Sequence, residues 1–230
     1  MIILQFWWQL LIAGLFMYLI SNVNYAIILS KLVKKQDIRT VGSKNPGTTN
    51  TLRCFGLPLG SLVLLCDFLK GACSVIIGLW VFPLLVGNQE IALFAAYFFS
   101  LCSVLGHVFP IFLKFQGGKG FASSLGLFTL LNPIYSLCSI VVGFGILLWT
   151  DFMSLFAMFF VTIQMIFAGI ILFTNATLSL EIAIGCFVCA TLIWAIVIFG
   201  HRQNIVRLIK GKENPSRIRE MLFKRKKESE

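Results

Sequence analysis

Long apolar runs alternate with short polar segments along the whole chain, and the lengths of the runs are typical of membrane-spanning helices. A helix needs about 20 mostly apolar residues to cross the hydrocarbon core of a bilayer. The run at 57–86 exceeds this length, so part of it should tilt or lie at the interface. The first span should continue as helix towards residue 30. The predicted spans cover residues 2–20, 57–86, 91–113, 121–131, 133–149, 152–173 and 178–199.

The basic residues decide whether the short run at 121–131 also crosses. Lys and Arg mark the cytoplasmic side of short loops, and they cluster at 31–53, 114–119 and 202–227. Clusters two and three then share one side, which requires an even number of crossings between them. Three long runs alone would give an odd number. The pattern therefore predicts an all-α protein of seven transmembrane helices, with the N-terminus outside and the C-terminus cytoplasmic.

Composition agrees with a membrane protein of one domain. The chain has 230 residues, of which 58% are hydrophobic and 12% charged, against about 25% charged in soluble domains. We predict a membrane domain at 1–213, a basic cytoplasmic tail at 214–230, and a first span that is retained rather than cleaved as a signal peptide. The net charge of +10 is consistent with basic loops that fix the membrane topology and with attraction to anionic lipid headgroups. No polar domain is present to bind nucleic acid, and the seven cysteines are interpreted as packing residues.

The first informative polar segment is DIRTVGSKNPGTTNTLRCFG, residues 37–56. Its glycines allow close backbone approach and Pro46 favours a turn. Short donors crowd that turn, and backbone N–H groups opening onto a helix form an anion site. An ordinary loop that caps the next helix is the alternative, but a cap needs one such donor and here there are five. The candidate residues are Arg39, Gly42, Ser43, Lys44, Asn45, Gly47, Thr48, Thr49, Asn50 and Arg53.

The second polar segment, residues 106–126, contains the sequence GGKG. It places Lys119 among Gly117, Gly118 and Gly120, which suits direct approach to a phosphate. It is not a nucleotide-binding P-loop, because Lys119 is followed by Gly rather than by Ser or Thr. The alternative is a flexible bend in which Lys114 and Lys119 only mark the inner side.

The third polar segment, residues 200–215, begins where the last span ends. His201 and Asn204 share a helix face there, and Glu213 follows the break at Gly211. A histidine near its ordinary pKa of about 6.5 can form hydrogen bonds or move protons. An interfacial polar residue without a chemical role is the alternative.

Asp67 and Lys70 lie three residues apart inside an apolar span. Ionisable groups at membrane depth are costly and usually paired. We interpret them as a structural ion pair that positions the second span under the first loop.

Other chemistries lack their residues. Two histidines make a multi-histidine metal site improbable, and GxSxG is absent. Neither histidine is followed by four residues and an Asp, so the large class of glycerolipid acyltransferases that carries this motif is disfavoured. The remaining interpretation is a site rich in cations and donors at the inner membrane surface, suited to a phosphate-bearing substrate and an acyl chain.

Taken together, the motifs resemble the acyl-phosphate-dependent glycerol-3-phosphate acyltransferases, the bacterial PlsY family. The resemblance covers about 29–213 and rests on DIRTVGSKNPGTTNTLR, DFLKG, GHVFPIFLKFQGGKG and HRQNIVRLIKGKE, in that order. It implies a seven-helix enzyme of the bacterial inner (plasma) membrane with a cytoplasmic active site. It also implies acyl transfer from acyl phosphate to glycerol 3-phosphate, giving lysophosphatidic acid and phosphate for phospholipid biosynthesis.

The resemblance also implies residue roles. No cofactor or metal, coenzyme A or acyl carrier protein is expected, and the partners are the two substrates and membrane lipids, with no obligate protein partner. Lys44 stands where the family usually has glycine. The catalytic candidates are Ser43, Arg53, His201 and Asn204. The substrate-binding candidates are Gly42, Lys44, Asn45, Gly47, Thr49, Asn50, Lys114, Gly117, Gly118, Lys119, Gly120 and Glu213.

The expected mechanism is charge neutralisation and positioning. Arg53 can bind a phosphate bidentately, whereas Lys114 and Lys119 act as point charges. His201 is either a general base or an orienting residue, and the leaving phosphate is a third possible proton acceptor. The alternative function is a transporter or translocator of a phosphate-bearing solute or lipid. It is disfavoured because the chain shows no internal repeat and its polar motifs gather on one face.

Overall fold

The computed structural model describes residues 1–224, and every regular element in that part of the chain is helical. Six helical stretches are long and apolar enough to cross a membrane, and the shorter apolar helix Phe121–Leu131 is added to them. The apolar runs of the sequence therefore predict the helices to within a few residues. The six stretches are Trp7–Lys34, Leu57–Val86, Ala92–Leu113, Pro133–Thr150, Met153–Thr174 and Leu180–Gly200.

The first stretch is two helices rather than one. After a short turn of helix, α1 (Ile2–Gln5), helix α2 (Trp7–Ser21) is followed by α3 (Tyr25–Lys34). The chain breaks at Asn24, whose side chain accepts a hydrogen bond from the backbone N–H of Ile27 and so caps α3.

The second stretch begins after α4 (Thr48–Phe55), and it contains one irregular turn; the predicted tilt or interfacial part stays a prediction. Helix α5 (Leu57–Ile76) passes through a π-helical turn into α6 (Phe82–Val86). A π-turn re-aims the chain without leaving backbone groups unpaired in lipid.

Helix α7 (Ala92–Val108) packs against α2, α5 and the helix at 180–200, and it lies in the most buried of the long stretches. Helix α8 (Phe121–Leu131) packs against α5 at glycines. A Cβ at Gly126 would lie 1.9 Å from the carbonyl oxygen of Phe68. Small residues let membrane helices approach closely, so α8 crosses α5 beside Phe68 and Gly71, past the middle of α5.

Within residues 1–224, five further helices follow α8 and complete the bundle. The tight turn between the helices at 133–150 and 153–174 is made by Asp151, which has the left-handed conformation (φ 57°). The outer face of the bundle is apolar, as a lipid-facing surface requires: Trp149 is 82% exposed. These helices are α9 (Pro133–Thr150), α10 (Met153–Thr174), α11 (Leu180–Gly200), α12 (Arg202–Ile209) and α13 (Ile218–Lys224).

The Asp67–Lys70 pair is buried, with a carboxylate oxygen 3.5 Å from the ammonium nitrogen. Lys70 also donates to the carbonyl oxygens of Ser21 and Val23, at 3.1 and 2.6 Å. These carbonyls lie at the break between α2 and α3, so the lysine satisfies acceptors that the broken helix leaves open. The pair lies beside this break, and its structural role stays a prediction.

Part of the predicted tail packs onto the bundle. We call residues 214–224 the C-terminal segment; residues 225–230 of the tail lie outside the described residues. Ser216 is buried and donates through its hydroxyl to the Asp151 carboxylate, at 2.5 Å. The backbone N–H of Ser216 donates to the carbonyl oxygen of Asp151, at 2.7 Å. The segment is thereby fixed to the turn between α9 and α10. The domain boundary at residue 213 stays a prediction.

Candidate active site

A cavity of about 440 Å³ is lined by residues of α4, α5, α8, α9, α10, α12 and α13, and all three polar segments of the sequence reach it. Its lining changes from polar to apolar from one end to the other. The polar end is lined by Ser43, Asn45, Thr48, Thr49, Arg53, Lys119, Ser154, His201, Asn204, Arg207 and Glu213.

The first loop is held in shape by Asn50. Its amide oxygen accepts the backbone N–H of Ser43 at 2.9 Å, and its amide nitrogen donates to the carbonyls of Ile38 and Val41. Gly42 has φ 57°, and a Cβ there would lie 2.4 Å from the Asn50 amide oxygen. Both residues were predicted to bind substrate. The structure uses Gly42 and Asn50 to present Ser43 at the cavity.

The other cations of this loop point elsewhere. Arg39 forms an ion pair with Asp37 at 2.7 Å, and its hydrogen bonds hold the pKa of the Asp37 carboxyl well below its usual range. Lys44 is exposed and lies outside the cavity lining. It has φ 60°, a left-handed conformation that favours glycine, which explains why glycine is usual at this position in the family pattern.

Arg53 is the cation that α4 contributes to the cavity. Its Nε donates to the carbonyl oxygen of Pro215 at 3.1 Å. Partial burial lowers the pKa of the guanidinium, but arginine starts from such a high value that it stays charged at neutral pH. A fixed, partly desolvated guanidinium of this kind is suited to bind a phosphate through its remaining N–H groups.

The second loop folds back on the end of α7. The backbone N–H groups of Gly117 and Gly118 donate to the carbonyls of Val108 and His107, at 3.2 and 3.1 Å. A Cβ at Gly118 would lie 2.1 Å from His107 Nε2. These two glycines therefore allow close packing on α7, and neither lines the cavity. Lys114 is also exposed and outside the lining.

Lys119 is the residue of the second loop that reaches the cavity, followed by Gly120. Its ammonium donates to the Asn204 amide oxygen at 2.5 Å, and the Asn204 amide donates to a Glu213 carboxylate oxygen at 2.7 Å. The other Glu213 oxygen accepts from Arg207 Nε at 3.1 Å. Burial, followed by the charge of Arg207, lowers the pKa of Lys119 to about 8.

The polar end carries an excess of positive charge. Among the described residues, Arg53, Lys119 and Arg207 face the carboxylate of Glu213 there, whose side chain is 4% exposed. The other carboxylate of the cavity lining, Asp67, is paired with Lys70. Glu213 is also held by the Ser154 hydroxyl at 3.3 Å. Glu213 thus accepts hydrogen bonds from Ser154, Asn204 and Arg207, and it orients the cationic side chains. The excess positive charge of these cations is available to anionic ligands.

His201 presents one defined ring nitrogen to the cavity. Its Nδ1 lies 2.8 Å from the carbonyl oxygen of Val197. A carbonyl only accepts, so Nδ1 carries the hydrogen and Nε2 of the neutral ring carries a lone pair. Burial lowers the pKa of His201 to about 4, and the neighbouring Lys119 charge adds to this effect. The ring is therefore neutral at pH 7, and Nε2 is a hydrogen-bond acceptor.

The apolar end of the cavity reaches the lipid-facing surface. Leu57, Ser61, Leu64 and Phe68 lie three or four residues apart and so share one face of α5. Leu64 and Phe144 are 37% and 40% exposed on the outside of the bundle, so an acyl chain has a path from lipid to the polar end. The remaining apolar lining residues are Leu52, Phe121, Ala122, Leu125, Ile140, Leu147, Met153, Phe156, Ile218 and Leu222.

The predicted residues divide into two groups. The cavity lining includes Asp67 and the candidates Ser43, Asn45, Gly47, Thr49, Asn50, Arg53, Lys119, Gly120, His201, Asn204 and Glu213. It does not include Gly42, Lys44, Lys70, Lys114, Gly117 and Gly118.

Sequence reasoning missed several lining residues. His107 lies in the cavity wall with Nδ1 3.6 Å from an Asp67 carboxylate oxygen, and its place at the head of the second motif was the available signal. Ser154 had none, because it follows the turn into an apolar span. Among the described residues no group of three or more His, Cys, Asp or Glu is placed to hold a metal ion.

Comparison with known proteins was made on sequence and on structure. The profile of a family described as glycerol-3-phosphate acyltransferase matches residues 11–211. A glycerol-3-phosphate acyltransferase of Halalkalibacterium halodurans is 34% identical over 208 residues, covering 90% of this chain and 94% of that protein. One from Aquifex aeolicus is 36% identical over 203 residues, covering 87% and 95%.

Solved structures of a glycerol 3-phosphate acyltransferase are also similar to this chain. A crystal structure of PlsY, an integral membrane glycerol 3-phosphate acyltransferase, in its glycerol 3-phosphate form, superposes with a TM-score of 0.78. It is 34% identical, and the match covers 94% of this chain and 99% of that one. A lysophosphatidic acid form superposes with a TM-score of 0.72 at 33% identity, covering 90% and 95%.

Proposed function

Because the chain belongs to the glycerol-3-phosphate acyltransferase family, we propose that it takes its acyl group from an acyl phosphate. The protein is an integral, multi-pass membrane enzyme that acylates glycerol 3-phosphate in phospholipid synthesis. The observation that carries the proposed donor is one continuous cavity that has apolar lining from α5 and α9 as well as a cationic end.

The charge of the polar end supports two phosphates rather than one. In the described part of the chain, Arg53, Lys119 and Arg207 face Glu213 there, while Asp67 is already paired with Lys70. Two anions brought together repel each other unless cations stand between them. An acyl phosphate has a compact leaving group, so its headgroup and glycerol 3-phosphate fit side by side in such a space. Its chain lies in the apolar groove, where it stays out of water.

Positions in the cavity suggest a division of roles. Arg53 and Ser43 lie on the first-loop side and bind the acyl phosphate headgroup. Lys119 and Asn204, oriented by Glu213, lie on the other side and bind glycerol 3-phosphate. The acceptor hydroxyl attacks the acyl carbonyl carbon, the new C–O bond forms, and the bond to the phosphate oxygen breaks.

The proton of the attacking hydroxyl has two possible destinations. His201, with its pKa lowered to about 4, is a weak base, whereas phosphate groups titrate near pH 6. We propose that His201 Nε2 accepts a hydrogen bond from the acceptor hydroxyl and orients it, and that the departing phosphate takes the proton.

The donor is tested with three palmitoyl compounds supplied to the purified protein in lipid nanodiscs: palmitoyl phosphate, palmitoyl-coenzyme A and palmitoyl-acyl carrier protein. We expect lysophosphatidic acid from palmitoyl phosphate alone, with one phosphate released per product and only when glycerol 3-phosphate is present. Product formed from a thioester donor at a comparable rate would overturn the proposed donor.

We further propose seven crossings, with the N-terminus outside and the active site on the cytoplasmic face of the bacterial inner membrane. The contact between Lys119 and Asn204 supports this. The four helices α8 to α11 connect two residues that meet at one end of the bundle, which favours a crossing by the short helix α8. The basic clusters lie at that end, so the positive-inside rule places it on the cytoplasmic side.

Topology is tested by labelling single cysteines in a chain freed of its native ones. In right-side-out vesicles, a membrane-impermeant maleimide should label a cysteine at Asn88, between α6 and α7, and should not label one at Lys212. Permeabilisation should expose the second. The reverse pattern, or labelling of both in intact vesicles, contradicts the proposed orientation.

A further inference from the structure

The wall of the cavity includes residues that lie beyond the family match. The matched region ends at residue 211, and the C-terminal segment continues across the cavity from there. Two of its side chains, Ile218 and Leu222 of α13, line the cavity. They are four residues apart and so share one face of the helix.

The segment is anchored on both sides of the cavity mouth. On one side, the carbonyl oxygen of Pro215 accepts a hydrogen bond from Arg53 of α4. On the other, the Asp151 carboxylate accepts from the Ser216 hydroxyl and from the backbone N–H of Arg217. These contacts lie immediately before α13, so they set where its apolar face falls.

That face covers a particular part of the cavity. Leu147 and Met153, which flank the Asp151 turn, line the cavity with α13. Arg53, a cation of the polar end, is bonded to Pro215, three residues before Ile218. Ile218 and Leu222 therefore lie between the cationic end and the groove that leads to lipid. A ligand with its phosphate at Arg53 and its chain in the groove has its first chain carbons there.

We propose that α13 is a specificity element that covers the first carbons of the acyl donor and thereby determines donor affinity. The identity of the donor as an acyl phosphate rests on the proposed function above. Ile218 and Leu222 remove that part of the chain from water when the donor binds. Apolar surface buried in this way contributes to affinity in proportion to its area.

The test is the double variant Ile218→Ala/Leu222→Ala, with Phe223→Ala as the matched control. Alanine is the best helix former, so the variant shortens the side chains without weakening α13. Phe223 belongs to the same helix and is 62% exposed, outside the cavity. We expect the KM for palmitoyl phosphate to rise about tenfold in the double variant, with kcat and the KM for glycerol 3-phosphate within about twofold. Phe223→Ala should match the wild type.

The volume-conserving variant Ile218→Leu/Leu222→Ile should restore the KM to within about twofold. An unchanged donor KM in the double variant overturns the proposal, as does an equal rise in Phe223→Ala or a rise confined to glycerol 3-phosphate. If the wild type makes no product from palmitoyl phosphate, the proposed donor fails. The role of α13 is then tested by the increase in Tm that palmitoyl phosphate causes on binding. A smaller increase in the double variant than in the wild type and Phe223→Ala supports this role, and equal increases in all three overturn it.

Discussion

Replacement of Arg53 by alanine is expected to lower kcat/KM for acyl transfer by about 10³-fold. The guanidinium is the one cation that the first loop and α4 bring to the cavity, and removing a charged partner of a phosphate in a partly desolvated site costs several powers of ten. The measurement is steady-state kinetics in nanodiscs with palmitoyl phosphate and glycerol 3-phosphate varied in turn. The loss should fall on the donor, because Lys119 remains to bind the acceptor.

Two further variants separate charge from geometry at Arg53. Arg53→Lys keeps the charge and loses the planar fork, so we expect it to recover about tenfold of the lost kcat/KM and no more. Arg202→Ala is the control: Arg202 lies over the Phe199 ring, outside the cavity, and its removal should change kcat/KM by less than about twofold. A loss of less than tenfold in Arg53→Ala, in protein with an unchanged Tm, would contradict the role of this residue.

Much of the fold could be predicted because membrane helices are specified by length and hydropathy alone. The breaks inside the helices could not. The break at Asn24 depends on a lysine from α5 that binds the freed carbonyls, and the π-turn after α5 depends on its packing against α7. Such partners are distant in sequence, so the local sequence pattern at the break does not predict them.

The candidate site was predictable at the level of segments and less so for individual residues. Glycine-rich loops indicate a close backbone approach, but not what is approached: Gly118 approaches His107 rather than the cavity. Asn50 and Ser43 have similar polarity in the sequence and both line the cavity, yet the Asn50 amide is used to hold the loop that presents Ser43. Ile218 and Leu222 had no signal, because an apolar pair at helical spacing is common in any chain.

Replacement of His201 by alanine is expected to lower kcat by about 10²-fold, with smaller changes in both KM values. The ring is buried, and its Nδ1–H is held by Val197, so Nε2 is fixed in place to accept a hydrogen bond from the attacking hydroxyl. Orientation of a reacting group is worth this much or more. A merely structural role would instead lower the Tm and the yield of folded protein while leaving kcat per folded molecule unchanged.

His201→Gln distinguishes an orienting residue from a general base. The glutamine amide oxygen can accept a hydrogen bond near the position of Nε2 but takes no proton at neutral pH, so we expect it to restore kcat to within about tenfold of the wild type. The pH profile provides the second measurement. A required base acts unprotonated, so activity falls as pH drops through its pKa, which for His201 is about 4. If the phosphate takes the proton, the fall comes near pH 6 instead and persists in His201→Gln. If His201→Gln is as inactive as His201→Ala, and the activity of the wild type falls only near pH 4, then His201 is the general base that takes the proton.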